Sequence, residues 1–162
     1  MRLSKGLFLT ALFLPTLAWS ADAQRLADRT EIMEVMARYV WTVDSLDADG
    51  YVSVFTEDAV IDSNGSISKG HEQIRKVVTD MKARQEANKA EGKPVGALYH
   101  VISNQHISFT GENEAIHYSY WQTMRRRDNA MVTGGMGRSE DRLVKRNGKW
   151  LIQHRKLTVF TD

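Results

Sequence analysis

The sequence contains no cysteine in 162 residues. Disulfides, thiol nucleophiles and cysteine-ligated metals are therefore excluded, and the fold must rely on its core. An excess of one charge is missing too, because 22 lysines and arginines against 20 acids give a formal +2. So small a balance makes no electrostatic case for nucleic acid. The one dense basic run, Arg125-Arg126-Arg127, is followed by Asp128-Asn129 and reads as a solvated hairpin turn. No histidine pair has zinc spacing, and there is no His-Glu-x-x-His and no glycine-rich phosphate loop, so neither metal nor cofactor is expected. Repeats are absent, and the polar stretch over residues 82–93 is the only biased segment.

No apolar run reaches the ~20 residues of a membrane-spanning helix. The run that comes nearest, Gly6 to Trp19, is interrupted by Pro15 and preceded by the basic start Met1-Arg2-Leu3-Ser4-Lys5. It closes on Ala18-Trp19-Ser20-Ala21-Asp22-Ala23, which has small residues at −3 and −1 for cleavage after Ser20 or after Ala23. This is the layout of a secretory signal peptide. It predicts an exported protein in which residues 1–23 are removed and 24–162 form a single domain. Removal takes away Arg2, Lys5 and Asp22, lowering the formal charge by one.

Hydrophobic residues make up 42% of the chain, enough for one globular core. Asp28-Arg29-Thr30-Glu31 fits a capping box, and Ile32, Val35, Met36, Tyr39, Val40 and Val43 follow at helical spacing. Together they predict a helix over about 29–45. Asp44 lies on the same side as Val40 and Trp41, and its charge is poorly placed at a helix C-terminus. A short helix is expected near 48–56, a strand at 58–62, and a turn at Asn64-Gly65-Ser66. A third helix opens at Gly70-His71-Glu72-Gln73 and frays into a loop from Lys82 onward. Four long strands follow, at about 97–109, 114–125, 130–145 and 149–160, with Asn147-Gly148 the strongest turn signal. Consecutive antiparallel strands behind three helices make an α+β domain whose helices must cover the concave face of a curved sheet.

This layout resembles the SnoaL-like branch of the nuclear transport factor 2-like superfamily. The resemblance runs from about Leu26 to Phe160. It rests on Tyr39-(x4)-Asp44-(x2)-Asp47, Phe55-Thr56-Glu57-Asp58-Ala59-Val60 and Gly70-His71-Glu72-Gln73-Ile74. To these add His100-(x3)-Asn104-(x4)-Phe109, Asn147-Gly148-Lys149-Trp150 and a closing strand through Arg155. The resemblance implies a cone-shaped fold, which hosts many unrelated functions. It also implies an aspartate–histidine dyad at Asp44 and His100, as in enzymes similar to hexachlorocyclohexane dehydrochlorinase and scytalone dehydratase. In such enzymes the histidine removes a proton beside a leaving group, and the aspartate orients the imidazole. One departure stands out. Scytalone dehydratases have a second active-site histidine, expected on the third long strand, where this chain has Gly134-Gly135-Met136-Gly137. Those glycines suggest a bulge, or a strand closely approached by a ligand.

Tyr39, Trp41, Tyr51 and Trp121 are expected to line an apolar pocket, with Arg155 holding a substrate oxygen, pairing with Asp44, or equally forming an ordinary surface or core ion pair. Tyr118 and Tyr120 are lesser candidates for that lining. His106 and His117 have no partner visible in sequence and read as ordinary strand residues, and His71 reads as surface. The expected activity is that of a cofactor-independent lyase or isomerase acting on a small hydrophobic molecule. A non-catalytic carrier and a polyketide-cyclase-like or hydrolytic enzyme are the alternatives. The broad outer sheet face predicts a homodimer or homotrimer.

Overall fold

The computed structural model describes residues 16–93, 95–127 and 129–161. The basic start and most of the apolar run of the expected leader lie outside the described residues, as does Asp128. The first helix, α1 (Thr16–Asp44), begins earlier than the sequence predicts and runs unbroken through Asp28. Asp28 is therefore not an N-cap. Its Oδ1 accepts from Lys145 Nζ at 2.7 Å and from the Trp150 indole N–H at 3.0 Å. Glu31 Oε1 accepts the backbone N–H of Trp150 at 2.9 Å. Two carboxylates three residues apart share one helix face, a spacing that suits a capping box and a helix-to-sheet clamp equally. Here it is the clamp.

Leu46, at φ 57°, turns the chain out of α1. Asp47 then caps α2 (Ala48–Ser53) by accepting the Gly50 N–H at 3.0 Å. Strand β1 (Phe55–Ser63) turns through Asn64 and Gly65, both at positive φ, into β2 (Ser66–Lys69). The sequence does not announce β2, since Ser66-Ile67-Ser68-Lys69 carries a single apolar side chain. Helix α3 (Gly70–Ala90) continues eight residues past the expected fray at Lys82. Lysine, arginine, glutamine, glutamate and alanine are all good helix formers, so a polar face all round exposes this segment without breaking it.

The remaining strands are β3 (Leu98–Phe109), β4 (Glu114–Arg127), β5 (Ala130–Arg146) and β6 (Lys149–Val159). Arg125-Arg126-Arg127 therefore ends a strand instead of forming a turn. The sheet order is β2-β1-β6-β5-β4-β3, with β1 and β6 parallel and every other pair antiparallel. It is curved and unclosed, and β3 is a free edge. Its concave face packs on Ile32, Val35, Met36, Tyr39 and Val43 of α1, with Phe55, Leu143, Trp150 and Ile152 among the buried partners. Each such side chain contributes roughly 1.5–3 kcal/mol on burial.

The glycine run in β5 has a physical use. The β4–β5 register shifts after Thr123, and Gly134 is the unpaired residue of the resulting bulge. At Gly137 a Cβ would stand 2.0 Å from the Thr158 carbonyl oxygen and 2.8 Å from Trp121 Cζ2. What approaches this strand closely is the chain's own Trp121 ring.

Candidate active site

Asp44 is the last residue of α1, and His100 stands near the start of edge strand β3. Asp44 Oδ1 meets His100 Nδ1 at 2.5 Å, and Oδ2 accepts the His100 backbone N–H at 3.0 Å. One carboxylate thus grips the same residue at main chain and ring, which fixes both the position and the rotation of the imidazole. The side chains are 15% and 21% exposed, so the pair is neither sealed in the core nor free in solvent. An acid at a helix C-terminus is unfavourable by itself. Its contact with His100 accounts for its presence. With Nδ1–H donated to Asp44, the other ring nitrogen carries the lone pair.

A second histidine–aspartate contact lies deeper. His117, Asp141 and Arg155 are register neighbours on β4, β5 and β6, and their side chains form a row on the concave face. Arg155 Nη1 donates to Asp141 Oδ1 at 2.7 Å, and Asp141 Oδ2 lies 3.2 Å from His117 Nδ1. His117 Nε2 lies 3.1 Å from Gln105 Oε1. Ser119 and Ser139 bond to each other at 2.7 Å beside the row. His117 is therefore no ordinary strand residue, and Arg155 pairs with Asp141, not with Asp44. Burial is the largest single influence on Arg155 and alone would weaken its proton binding, but the charge and hydrogen bond of Asp141, with Tyr39 and Tyr51, together outweigh it and hold the guanidinium above its ordinary value.

The expected pocket residues separate into two groups. Tyr39, Tyr51 and Arg155 do meet, inside the core: the guanidinium carbon sits 4.0 Å over the Tyr39 ring, and the tyrosine rings are 5.2 Å apart. Burial pushes the Tyr51 phenol well above its ordinary value of 10.0, and the neighbouring Tyr39 adds to the shift. It stays a neutral donor. Trp121 lies on the concave side against the glycines of β5, its indole N–H donating to the Arg138 carbonyl at 3.1 Å. Trp41 is not in the interior, for the residue is 75% exposed. It forms part of the wall of a groove of about 300 Å³ between α1 and β3, with Met33, Val40 and Ile102. Tyr118 and Tyr120 lie on the convex face, lining a cavity of about 480 Å³ with Arg138 and Lys156. His71 is half-buried, its Nε2 3.1 Å from the Phe55 carbonyl oxygen. Among the described residues no three His, Asp or Glu side chains group as a metal site would.

A curved, unclosed six-stranded sheet with helices over its concave face defines a class: the nuclear transport factor 2-like cone proteins. Within that class, the chain belongs to the SnoaL-like domain family, whose model matches residues 24–156. It is 27% identical over 139 residues to the terrestric acid biosynthesis cluster protein E of Penicillium crustosum, covering 80% of this chain and 81% of that protein. Among solved structures it is similar to a nuclear transport factor 2-like protein of Novosphingobium aromaticivorans. That match has a TM-score of 0.77 at 20% identity, covering 90% of each chain. A provisionally assigned scytalone dehydratase of the same organism matches at TM-score 0.69 and 21% identity, covering 86% of this chain and 89% of that one. At such identities the structural likenesses show the fold alone.

Proposed function

We propose that the protein is a cofactor-independent lyase or isomerase in which His100 is the general base and Asp44 its orienting acid. The observation that carries this reading is the double grip of Asp44 on His100, through Nδ1 at 2.5 Å and the backbone N–H at 3.0 Å. His100 Nε2 accepts a proton from a carbon of a small hydrophobic substrate. The electron pair left behind expels a neighbouring group or shifts a double bond, and the proton is returned to the departing group or to the new carbon position. The imidazolium formed in between is stabilised by the Asp44 carboxylate. General base catalysis of this kind contributes on the order of 10²–10⁴-fold.

The biosynthetic-cluster relative supports an enzyme over a carrier, and equally suits a polyketide-cyclase-like use of the same base. The readings differ in what His100 does. Nitrobenzisoxazole opens on loss of a single proton and serves as a probe that needs only a positioned base. The wild-type protein should open it, and His100→Ala should lose on the order of 10²-fold or more while its melting temperature stays within ~2 °C. Unchanged opening, or an unfolded variant, would make the pair structural and leave the carrier reading in place.

Export and self-association belong to the same proposal. The family match begins at residue 24, one past the expected cleavage point. Ala21, Asp22 and Ala23 are exposed, whereas Arg25 donates to the Gly111 carbonyl in the β3–β4 turn at 3.0 Å. Among the described residues no helix is long and apolar enough to cross a membrane. Self-association is supported by Tyr99, Tyr118, Tyr120, Met131, Met136 and Phe160, all exposed on the convex sheet face.

A further inference from the structure

The concave face is not sealed evenly along its length. The row of His117, Asp141 and Arg155 is buried, and so are Ser119 and Ser139 in the row beside it. Further along the same face, His100, Trp121, Thr123 and Gly135 are only half-buried. This is the open end of the sheet, and it is the end at which Asp44 holds His100.

His100 and Thr123 are directly opposed in the β3–β4 register, as Ile102 and Trp121 are, and all four belong to the concave face. Opposed residues on one face have Cβ atoms about 5 Å apart, so Thr123 is the cross-strand neighbour of the base. Its hydroxyl leans the other way, toward β5. A Cβ on Gly134 would stand 2.8 Å from Thr123 Oγ1, and one on Gly135 3.9 Å from it. Gly134 is not at positive φ. What its missing side chain supplies is space, and that space is occupied by the Thr123 hydroxyl. The hydrogen bonds at this end run from Asp44 to His100 and from the Trp121 indole to the Arg138 carbonyl; among the described residues the Thr123 hydroxyl enters none.

The Trp121 ring bounds the same space. It extends along β5 from the Arg138 carbonyl to Gly135, whose Cβ would lie 3.8 Å from Cζ3. Gly135 is the register partner of Thr123. One row therefore carries a base over β3, a hydroxyl over β4 and the edge of an apolar ring over β5. The base and the ring edge are about two strand spacings apart, roughly 10 Å. A small molecule lying between them has the Thr123 hydroxyl beneath it.

We infer that Thr123 is a further catalytic residue, whose hydroxyl donates to the oxygen of a small carbonyl compound while His100 takes the proton from the neighbouring carbon. This deepens the reading of His100 as the base and rests on it. The C–H electron pair becomes a carbon–carbon double bond, and the C=O pair moves onto the oxygen, where the Thr123 O–H meets the growing charge. When that pair returns, the imidazolium proton joins the far carbon of a conjugated double bond, or it departs with a group expelled from the next carbon. A donor aimed at developing charge acts most strongly where water is scarce.

Indanone is a flat ketone that exchanges its acidic hydrogens for deuterium through the enolate, and its exchange in heavy water is followed by NMR. The full chain should speed this exchange. Thr123→Val keeps the shape without the hydroxyl and should lose on the order of 10²-fold, whereas Thr123→Ser should keep most of the rate. Nitrobenzisoxazole spreads its charge over a nitrophenolate ring, so Thr123→Val should cost clearly less there, a split that a merely structural role would not produce. Gly134→Ala, which crowds Oγ1, should show the same split in milder form. Indanone exchange that survives Thr123→Val, or equal losses on the two probes, overturns the inference. So does a wild type that opens nitrobenzisoxazole and leaves indanone unexchanged, with His100 still standing as the base. A wild type that does neither removes the base, and the role of Thr123 with it.

Discussion

At the scale of single residues, the informative positions are those that break a local rule. Asp44 puts a negative charge at a helix C-terminus, and that anomaly was legible before any partner was known. His100 could be matched to it only through the ordered resemblance to a family, since 56 positions separate them. The row of His117, Asp141 and Arg155 could not be read at all, because strand register decides it and a slip of one residue reverses every side chain. Asp28 shows a misreading with a physical cause, a capping signal that serves as an anchor. Burial by itself would raise its carboxyl pKa, but hydrogen bonds from Lys145, Trp150 and Gln24 together hold it below the ordinary 3.8. A lowered pKa in the folded state means that the ionised form stabilises the fold. That contribution is fully present above the ordinary value and is lost as pH falls through the folded one. Asp28→Asn should therefore cost ~2–3 kcal/mol at neutral pH. The loss relative to wild type should shrink below pH ~4, as wild-type Asp28 is itself protonated. Urea unfolding at both pH values checks this, and a pH-independent difference would rule out the charge as the cause.

At the scale of elements, periodicity located α1, α3 and the four long strands, since each has an apolar face of regular spacing or a strong turn beside it. The failures were at ends and in short pieces. β2 has too few apolar residues to register, and its pairing with β1 comes from the Asn64-Gly65 turn. α3 outlasts its apolar stripe because propensity carries it to Ala90. α1 extends back to Thr16, across the expected cleavage point. Export predicts that the secreted protein begins at Ala21 or Gln24, as a mass measurement would show. Its melting temperature should match that of the full chain, since the anchoring contacts from Arg25 onward are kept. A mature form that retains Met1 would remove export from the account.

At the scale of the whole molecule, the fold was legible because helices, turns and strands occur in an order that one architecture satisfies. The shape of the pocket was not. Trp41 and Tyr51 look alike as aromatics on neighbouring helices, yet one stands in solvent and the other in the core. Only the packing angle of α1 on the sheet distinguishes them. The convex face carries a belt of aromatic and methionine side chains with Arg138, Glu140 and Lys156 among them, mixed in sign so that it can meet a copy of itself. Stable interfaces bury roughly 800 Å² on each partner. Wild-type protein should sediment as a dimer or trimer at micromolar concentration, and Tyr120→Lys with Met136→Lys should yield a folded monomer. A wild-type monomer would refute self-association.

The central claim is that Asp44 and His100 act as one unit. Nitrobenzisoxazole opening measured for wild type, Asp44→Asn, His100→Ala and the double variant tests it most directly. An orienting acid has nothing left to orient once the base is gone, so the double variant should be no slower than His100→Ala alone. Losses that multiply across the two substitutions would contradict a dyad.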